Sequence, residues 1–391
     1  MKAVLLASAA ALFVVPAAAG DWTVDPWTAD FSHYSVSVGG KAHGTLFSPD
    51  LPSVPGFDQQ WASGLADLTL RVQRDYDSGL SLSLKAGFEV ARDKLSYDNY
   101  GGDLVQKVYA VMQTGLGRVE VGMMDGAAYA LSVTGPVVDD ATSLDNANAN
   151  FFLDPSTRRN FTEVFALNSA VESSLNYAKI SYYTPRLFGI QIGMSFTPSE
   201  GKEVIPFLNN GPQVANRQKS IWEGAVNYSN TFGRLSVGAT IAASVGHGDR
   251  KTPGHAGLTE WGTGVQLDYD LNDDMKLSVG GAWRRSNTYA FDINDALATG
   301  VTESTHLSTT LTWGSWIVGG ELGSGTADGG LLAPVIGVFG TQASLGYVIN
   351  TNLQATFGWQ ELRYSRNAGV FYDGSQRIRM DAVFFHLNLH V

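Results

Sequence analysis

The sequence contains no cysteine, so disulfide cross-links, thiolate metal sites and cysteine nucleophiles are excluded from the outset. Charge is scarce: Asp, Glu, Lys and Arg make up 16% of the chain, against roughly 25% in an average soluble domain. Basic residues are the rarer kind, 26 against 37 acidic, for a formal net charge of -11. A nucleic-acid binder needs a basic face to displace counterions from phosphates, so nucleic acid is excluded as a partner. Beyond the N-terminus no apolar run approaches the ~20 residues of a membrane-spanning helix. Packing and backbone hydrogen bonds must stabilise a fold whose surface is too poor in charge for an ordinary soluble domain.

The N-terminus reads as an export signal. Lys2 precedes an apolar stretch from Ala3 to Val15, and Pro16 leads into Ala17, Ala18, Ala19 and Gly20. A charged start, a short apolar segment and an Ala-x-Ala end are what signal peptidase requires, which places the cut after Ala19 or one residue later. The apolar stretch is too short for a membrane anchor.

Downstream, apolar and polar residues alternate with period two. Leu80, Leu82, Leu84, Ala86, Phe88 and Val90 alternate with Ser81, Ser83, Lys85, Gly87 and Glu89; Leu353, Ala355, Phe357 and Trp359 alternate with Gln354, Thr356, Gly358 and Gln360. Such segments are strands with one apolar face. A soluble sandwich would place many Lys and Glu on the other face, whereas here it is mostly Ser, Thr, Gly and Gln. That favours lipid on one side and water on the other.

The connections alternate as well. Short links rich in Gly, Asn, Asp or Pro fall at Asp77–Gly79, Thr114–Gly117, Pro185–Phe188, Asn230–Gly233, Asn272–Asp274, Gly314–Ser315 and Asn350–Asn352. Between them lie long polar segments, approximately 48–64, 93–103, 125–174, 198–219, 247–258, 288–303, 325–337 and 367–376. The expectation is an all-β fold: a closed antiparallel transmembrane β-barrel of about sixteen strands, with short periplasmic turns and long extracellular loops. Residues 20–391 form it as one domain. Closure follows because an open sheet edge in hydrocarbon leaves backbone groups unpaired at several kcal/mol each. The last strand runs to Val391, and a parity slip at Ile378, Met380 and Ala382 predicts a bulge near Ala382. Trp222, Tyr228, Trp261, Tyr269, Trp283, Trp313, Trp316, Tyr347 and Trp359 are candidates for interfacial girdles.

Two stretches carry a family likeness. Leu175 to Phe196, LNYAKISYYTPRLFGIQIGMSF, resembles the Tyr-x-Ser/Thr-Pro-x-x-x-Gly hairpin of Gram-negative general-diffusion porins, with Tyr182, Thr184, Pro185 and Gly189 on the motif positions. Leu116–Gly122 resembles the strand that precedes that family's long third loop, and 125–174 is both the longest connection and the third long one. The similarity is greatest to the alphaproteobacterial branch. It implies that 125–174 folds into the lumen and narrows it, that the protein is a homotrimer in contact with outer-membrane lipid and lipopolysaccharide, and that small hydrophilic solutes and ions diffuse through a water-filled channel. A sugar- or anion-selective porin is the alternative within transport.

Selectivity in such a channel comes from charges of opposite sign at the constriction. Acidic candidates in the loop are Asp139, Asp140, Asp145, Asp154, Glu163 and Glu172, with Arg158 and Arg159 among them. Basic candidates are Arg71, Lys85, Arg118, Lys179 and Arg284, each flanked by apolar neighbours in a strand and so predicted to point inward. No cofactor is expected, although the resemblance permits loop-bound calcium. The segment Asp268 to Val279 fails as a calcium loop, with Asp273 at the glycine position and Val279 at the terminal glutamate position. An outer-membrane hydrolase using His247, His255, Asp139 and Asp140, and a soluble secreted β protein, are rivals from other classes. No catalytic nucleophile elbow, dinucleotide fingerprint or phosphate loop is present, and the expectation is a non-enzyme.

Overall fold

Each alternating segment has one face that water must not touch, and in a computed structural model these segments assemble into a single closed sheet. The structure describes residues 27–31, 33–50, 62–92, 105–146, 167–199, 218–248, 257–287, 300–328, 335–367 and 376–390. The segment read as a signal lies outside them, as do Asp154, Arg158, Arg159, Glu163, His255 and Val391.

Seventeen strands lie among the described residues: β1 (Trp27–Phe31), β2 (Tyr34–Asp50), β3 (Ala62–Asp75), β4 (Ser81–Arg92), β5 (Val105–Thr114), β6 (Gly117–Met123), β7 (Ala178–Tyr183), β8 (Ile190–Ser199), β9 (Lys219–Phe232), β10 (Leu235–His247), β11 (Thr259–Asn272), β12 (Met275–Ser286), β13 (Val301–Trp313), β14 (Trp316–Asp328), β15 (Ile336–Val348), β16 (Leu353–Arg366) and β17 (Gln376–His390). Every sequential pair from β2 to β17 is antiparallel, and β17 returns to pair with β2, Asp381 opposite Asp50 through to His390 opposite Lys41. Setting β1 aside, the ring therefore has sixteen strands. β1 is an addition the alternation does not announce: Trp27 sits opposite Val38 on β2, just beyond the Lys41 that faces His390. β1 and β17 thus lie end to end along the same neighbour.

The short links bring tight turns. Thr184 N–H donates to the Ile192 carbonyl, Ile192 N–H donates to Thr184 Oγ1, and the Tyr182 hydroxyl donates to the Leu116 carbonyl. Gly189 has φ 83, where a Cβ would press on the Ser229 carbonyl at 2.9 Å. The motif residues thereby lock the β7–β8 hairpin. One link is displaced from its sequence position: β9 runs on to Phe232, and the turn falls at Gly233–Arg234 with Gly233 at φ 62.

Outward side chains form the apolar belt, including Leu345, Phe357, Val383 and Phe385. All nine aromatics expected in the girdles sit on outward positions of the register, with Trp316 and Tyr347 ring centroids 4.6 Å apart and Trp261 and Trp283 4.5 Å apart.

The expected bulge near Ala382 is absent. β17 pairs without a register shift on both sides. Ile378, Met380, Ala382 and Phe384 instead point into the barrel, where they are buried with Phe47, Val338, Ile336, Leu362, Tyr364 and two residues of the inner loop, Leu144 and Leu167. The apparent slip is an apolar patch on the inner face, dry because the loop covers it.

Candidate functional site

The described residues of the long connection after β6, up to 146 and from 167 onward, lie against the inside of the wall. It begins with a single helical turn, Ala127–Ala130, whose Ala127 and Ala128 are fully buried against Tyr183, Ala225 and Ala242. Small residues on both surfaces permit this approach. At Gly126 a Cβ would fall 1.5 Å from Glu223 Oε2, and at Gly264 on β11 one would fall 1.7 Å from the Val133 carbonyl. The loop then passes across the barrel interior: Asn227 Nδ2 and Thr240 Oγ1 donate to the Leu131 carbonyl, and Gln354 Nε2 donates to the Val138 carbonyl. A second leg returns nearer the extracellular rim. Ser304 Oγ donates to the Asn168 carbonyl, and Arg284 Nη1 to the Ala170 carbonyl at 3.4 Å.

Three wall glutamates hold this loop. Glu321 on β14 accepts from Ser143 Oγ at 2.6 Å and Leu144 N–H at 3.0 Å. Glu260 on β11 accepts from the Ser173 hydroxyl. Glu223 on β9 accepts from Ser174 N–H at 3.0 Å and Ser195 Oγ at 2.9 Å, while Ser195 Oγ accepts from Ala127 N–H. Each glutamate stands on the polar face of its strand, which is the lumen side. The inside of β8–β17, with Phe47 on β2, is thus lined by the loop, and the inside of β3 and β4 with their neighbours on β5 and β6 is left largely open.

The acidic candidates divide accordingly. Asp139 is buried: it caps the 3-10 turn Asp140–Thr142 by accepting from Ala141 N–H at 3.0 Å, it accepts from Thr356 Oγ1 at 3.2 Å, and it lies 3.6 Å from His386 Nε2. Burial pushes its carboxyl above the usual range. Asp145 accepts from Ser169 N–H and Oγ, both at 2.7 Å, and so joins the two legs of the loop. Asp140 is exposed. Glu172 keeps part of its surface; burial within the barrel, with the Asp125 charge second, pushes its carboxyl up to about 7 against the pull of Arg284 and Lys107. Asp154 and Glu163 lie outside the described residues.

All five basic candidates face the lumen in the register, on two different sides. Arg71, Lys85 and Arg118 stand on the open wall. Arg71 and Lys85 are directly opposite one another, Lys85 lies 5.6 Å from the Tyr109 ring centroid, and the Arg118 guanidinium lies 4.4 Å over Tyr183. Lys179 and Arg284 stand beneath the loop. Lys179 is buried and donates to the Ser174 and Leu175 carbonyls where the loop rejoins β7. Arg284 pairs with Glu260 at 3.1 Å.

Sequence reasoning passed over several participants. Asp125 pairs with Lys107 at 2.6 Å, Arg118 with Glu120 at 3.0 Å, and Lys41 with Asp67 at 3.7 Å. The signal for Glu120 and the three loop-holding glutamates was strand parity, which places them inward as surely as it does Lys85. Among the described residues no three His, Asp or Glu side chains converge as a metal cage. His247 ends β10 on the outer face while Asp139 is sealed inside, so the two do not meet.

A family model described as Gram-negative porin matches residues 6–350. Among solved structures, the anion-selective porin of Comamonas acidovorans superposes with a TM-score of 0.55 at 14% identity, covering 92% of this chain and 100% of that one. OmpT, an outer membrane protein of Vibrio cholerae, gives 0.55 at 11% identity, with coverages of 93% and 99%. The outer membrane channel DcaP of Acinetobacter baumannii gives 0.55 at 13%, with coverages of 94% and 100%. These likenesses show a shared fold. The curated proteins searched contain no significant match.

Proposed function

The chain belongs to the Gram-negative porin family and is an outer-membrane channel for passive diffusion; from that premise we propose that it is a general porin for small hydrophilic solutes and ions, with no catalytic activity. The observation that carries this reading is the half-lined lumen. A loop held on β8–β17 presents Asp140 and Glu172, and the open wall across from it presents Arg71, Lys85 and Arg118. Acid on one side and base on the other set a field across the path of a solute, and a barrel of this strand number encloses water rather than a packed core. Since Asp139 and Asp145 are engaged within the loop and the basic wall is not covered, an anion-preferring porin is the second reading.

The low wall supports a homotrimer. β6 has 7 residues and β7 has 6, short of the ~9–11 that a tilted strand needs to cross hydrocarbon. Their outer faces and that of β8 are apolar, with Val121, Ile180, Ile192 and Met194 all exposed. A second copy against this side would cover what lipid cannot match in height. Residues 1–19 supply the export signal that this location requires.

Detergent-purified protein in planar bilayers tests the reading. Stable, solute-permeable conductance steps in groups of three are expected, together with swelling of proteoliposomes in small sugars. A tight monomer without conductance sinks it, and a reversal potential set almost wholly by the anion selects the second reading.

A further inference from the structure

We propose that Arg186, on the periplasmic turn between β7 and β8, is a positioning residue for the inner loop. Through Asn227 it fixes where the first leg of the loop lies, so that the width of the channel is set in part from its periplasmic mouth. Arg186 follows the Thr184–Pro185 pair of the turn, and its side chain folds back into the lumen. Its Nη1 donates to the Gly189 carbonyl at 2.7 Å, and its Nη2 donates to Gln191 Oε1 at 3.2 Å and to Asn227 Oδ1 at 2.7 Å. Gln191 on β8 and Asn227 on β9 are direct partners on the inward face.

A guanidinium donates and never accepts, so the amide atom of Asn227 that meets it is the oxygen, and the nitrogen is turned toward the loop. There Asn227 Nδ2 donates to the Leu131 carbonyl at 3.0 Å, beside Thr240 Oγ1 at 2.9 Å. The asparagine is buried. Turned the other way, its oxygen would face that carbonyl, acceptor against acceptor, and its NH2 group would face the guanidinium. An asparagine by itself can present either end, and Arg186 removes the choice. Without it, the amide would hold the loop for part of the time and repel it for the rest.

Leu131 is where a displacement is felt. It ends the helical turn Ala127–Ala130 and is buried with Ala127, Tyr183, Ala225 and Ala242. Its side chain covers Gly193, where a Cβ would fall 2.7 Å from Leu131 Cδ1. Two residues further on, the Val133 carbonyl passes over Gly264. Gln191, Asn227, Thr240 and Gly264 are successive partners along one row of the sheet. The row that carries the first leg therefore begins, at its β8 end, with the residues Arg186 holds. Tyr129, exposed on the same helical turn, moves with that leg.

The test pairs Arg186→Met, which removes every donor, with Asn227→Ala, which breaks the link but leaves the charge of Arg186 in place. The double variant and Arg186→Lys, which keeps one donor group, complete the set. On detergent-purified protein, hydrogen exchange is read at the amides of Ala127, Ala130, Leu131 and Ser132, each hydrogen-bonded within the leg or to the wall, and single-channel current is read in planar bilayers. Arg186→Met and Asn227→Ala should each speed exchange there about fivefold, the population change that one net hydrogen bond carries. Noisier currents should accompany it, with the heat-resistant folded band retained. The double variant should match the single ones instead of adding to them, and Arg186→Lys should recover most of the protection. Unchanged exchange in Arg186→Met overturns the proposal, even if the reversal potential shifts, because Arg186 is then only a charge at the mouth. Additive acceleration in the double variant overturns it too. So does a lowered unfolding temperature in Arg186→Met when Asn227→Ala leaves exchange and current as they were, which makes Arg186 a staple of its own turn. The proposal rests on the channel reading for its current alone: a protein that fails to conduct sinks that reading, while exchange still decides this one.

Discussion

The Glu321 carboxylate accepts the backbone N–H of Leu144 at 3.0 Å, so a strand of the wall holds the inner loop by its main chain. The same oxygen accepts from Ser143 Oγ and lies 3.1 Å from His306 Nε2, and the other accepts from Gln342 Nε2 at 2.9 Å. One side chain on β14 thereby joins β13, β15 and the inner loop.

Glu321→Ala leaves several buried donors without an acceptor, at about 1–3 kcal/mol for each one. A lower unfolding temperature is expected, with larger and noisier single-channel currents as the loop comes away from β14. Currents as quiet as those of the unaltered protein would show that the loop is held elsewhere.

Leu144→Ala and Leu167→Ala remove the two loop side chains that cover the apolar patch of β14–β17 and β2, both wholly buried. Each should cost about 2–5 kcal/mol in chemical denaturation. Water would then reach Met380 and Phe384, and protease cleavage within the loop should accelerate. Stability within 1 kcal/mol of the parent, a figure about the size of a surface substitution, would contradict the burial.

Gly264→Val places a Cβ where the Val133 carbonyl already is. The loop must shift, so conductance should change while the heat-resistant folded band in gels persists. Gly44→Ala, whose Cβ would meet nothing within 4 Å, serves as the control and should change neither.

Ion selectivity is expected to depend on pH near neutrality through Glu172. Its carboxyl is raised to about 7, so it is neutral below that value and negative above it. Cation preference, read from reversal potentials, should rise between pH 6 and 8, and Glu172→Gln should flatten that rise. The sign for stability is the opposite: the neutral form suits the folded state, and its contribution is lost as pH climbs through about 7.

Arg71→Ser with Lys85→Ser removes charge from the open wall and should shift the reversal potential toward cations with little loss of stability. Lys179→Gln should do the reverse, barely moving selectivity but lowering the unfolding midpoint, because its ammonium is spent on loop carbonyls. Equal shifts from both variants would refute the division between an open wall and a loop-bound one.

Much of the fold was legible in the sequence. Turn residues such as those at Asp77–Gly79 and Gly314–Ser315 act locally, and the period-two alternation of Leu353–Gln360 reports a face that meets lipid. The same rule misled at Ile378–Ala382, because alternation records which face is dry without recording what dries it. Lipid does so on the outside of β17, and Leu144 and Leu167 do so on the inside. β1 escaped notice because five residues paired on one side leave too short a pattern.

The candidate site was legible by direction and not by surroundings. Parity alone aims Arg71, Lys85, Arg118, Lys179 and Arg284 inward, and the length of 125–174 marks the segment whose described residues lie inside the barrel. Which of those charges faces water was decided by the tertiary course of the loop. Its Val133 carbonyl passes over Gly264, its main chain is captured by Glu223 and Glu321 and its Ser173 hydroxyl by Glu260, so Lys179, Arg284, Asp139 and Asp145 are consumed in holding it. The sequence by itself determined a closed, exported barrel with a lipid-facing belt, because strand period, turn chemistry and closure are local or topological constraints. Only the tertiary structure decided where the channel runs, because that depends on contacts between residues such as Ser143 and Glu321, far apart along the chain and adjacent only once the barrel has closed.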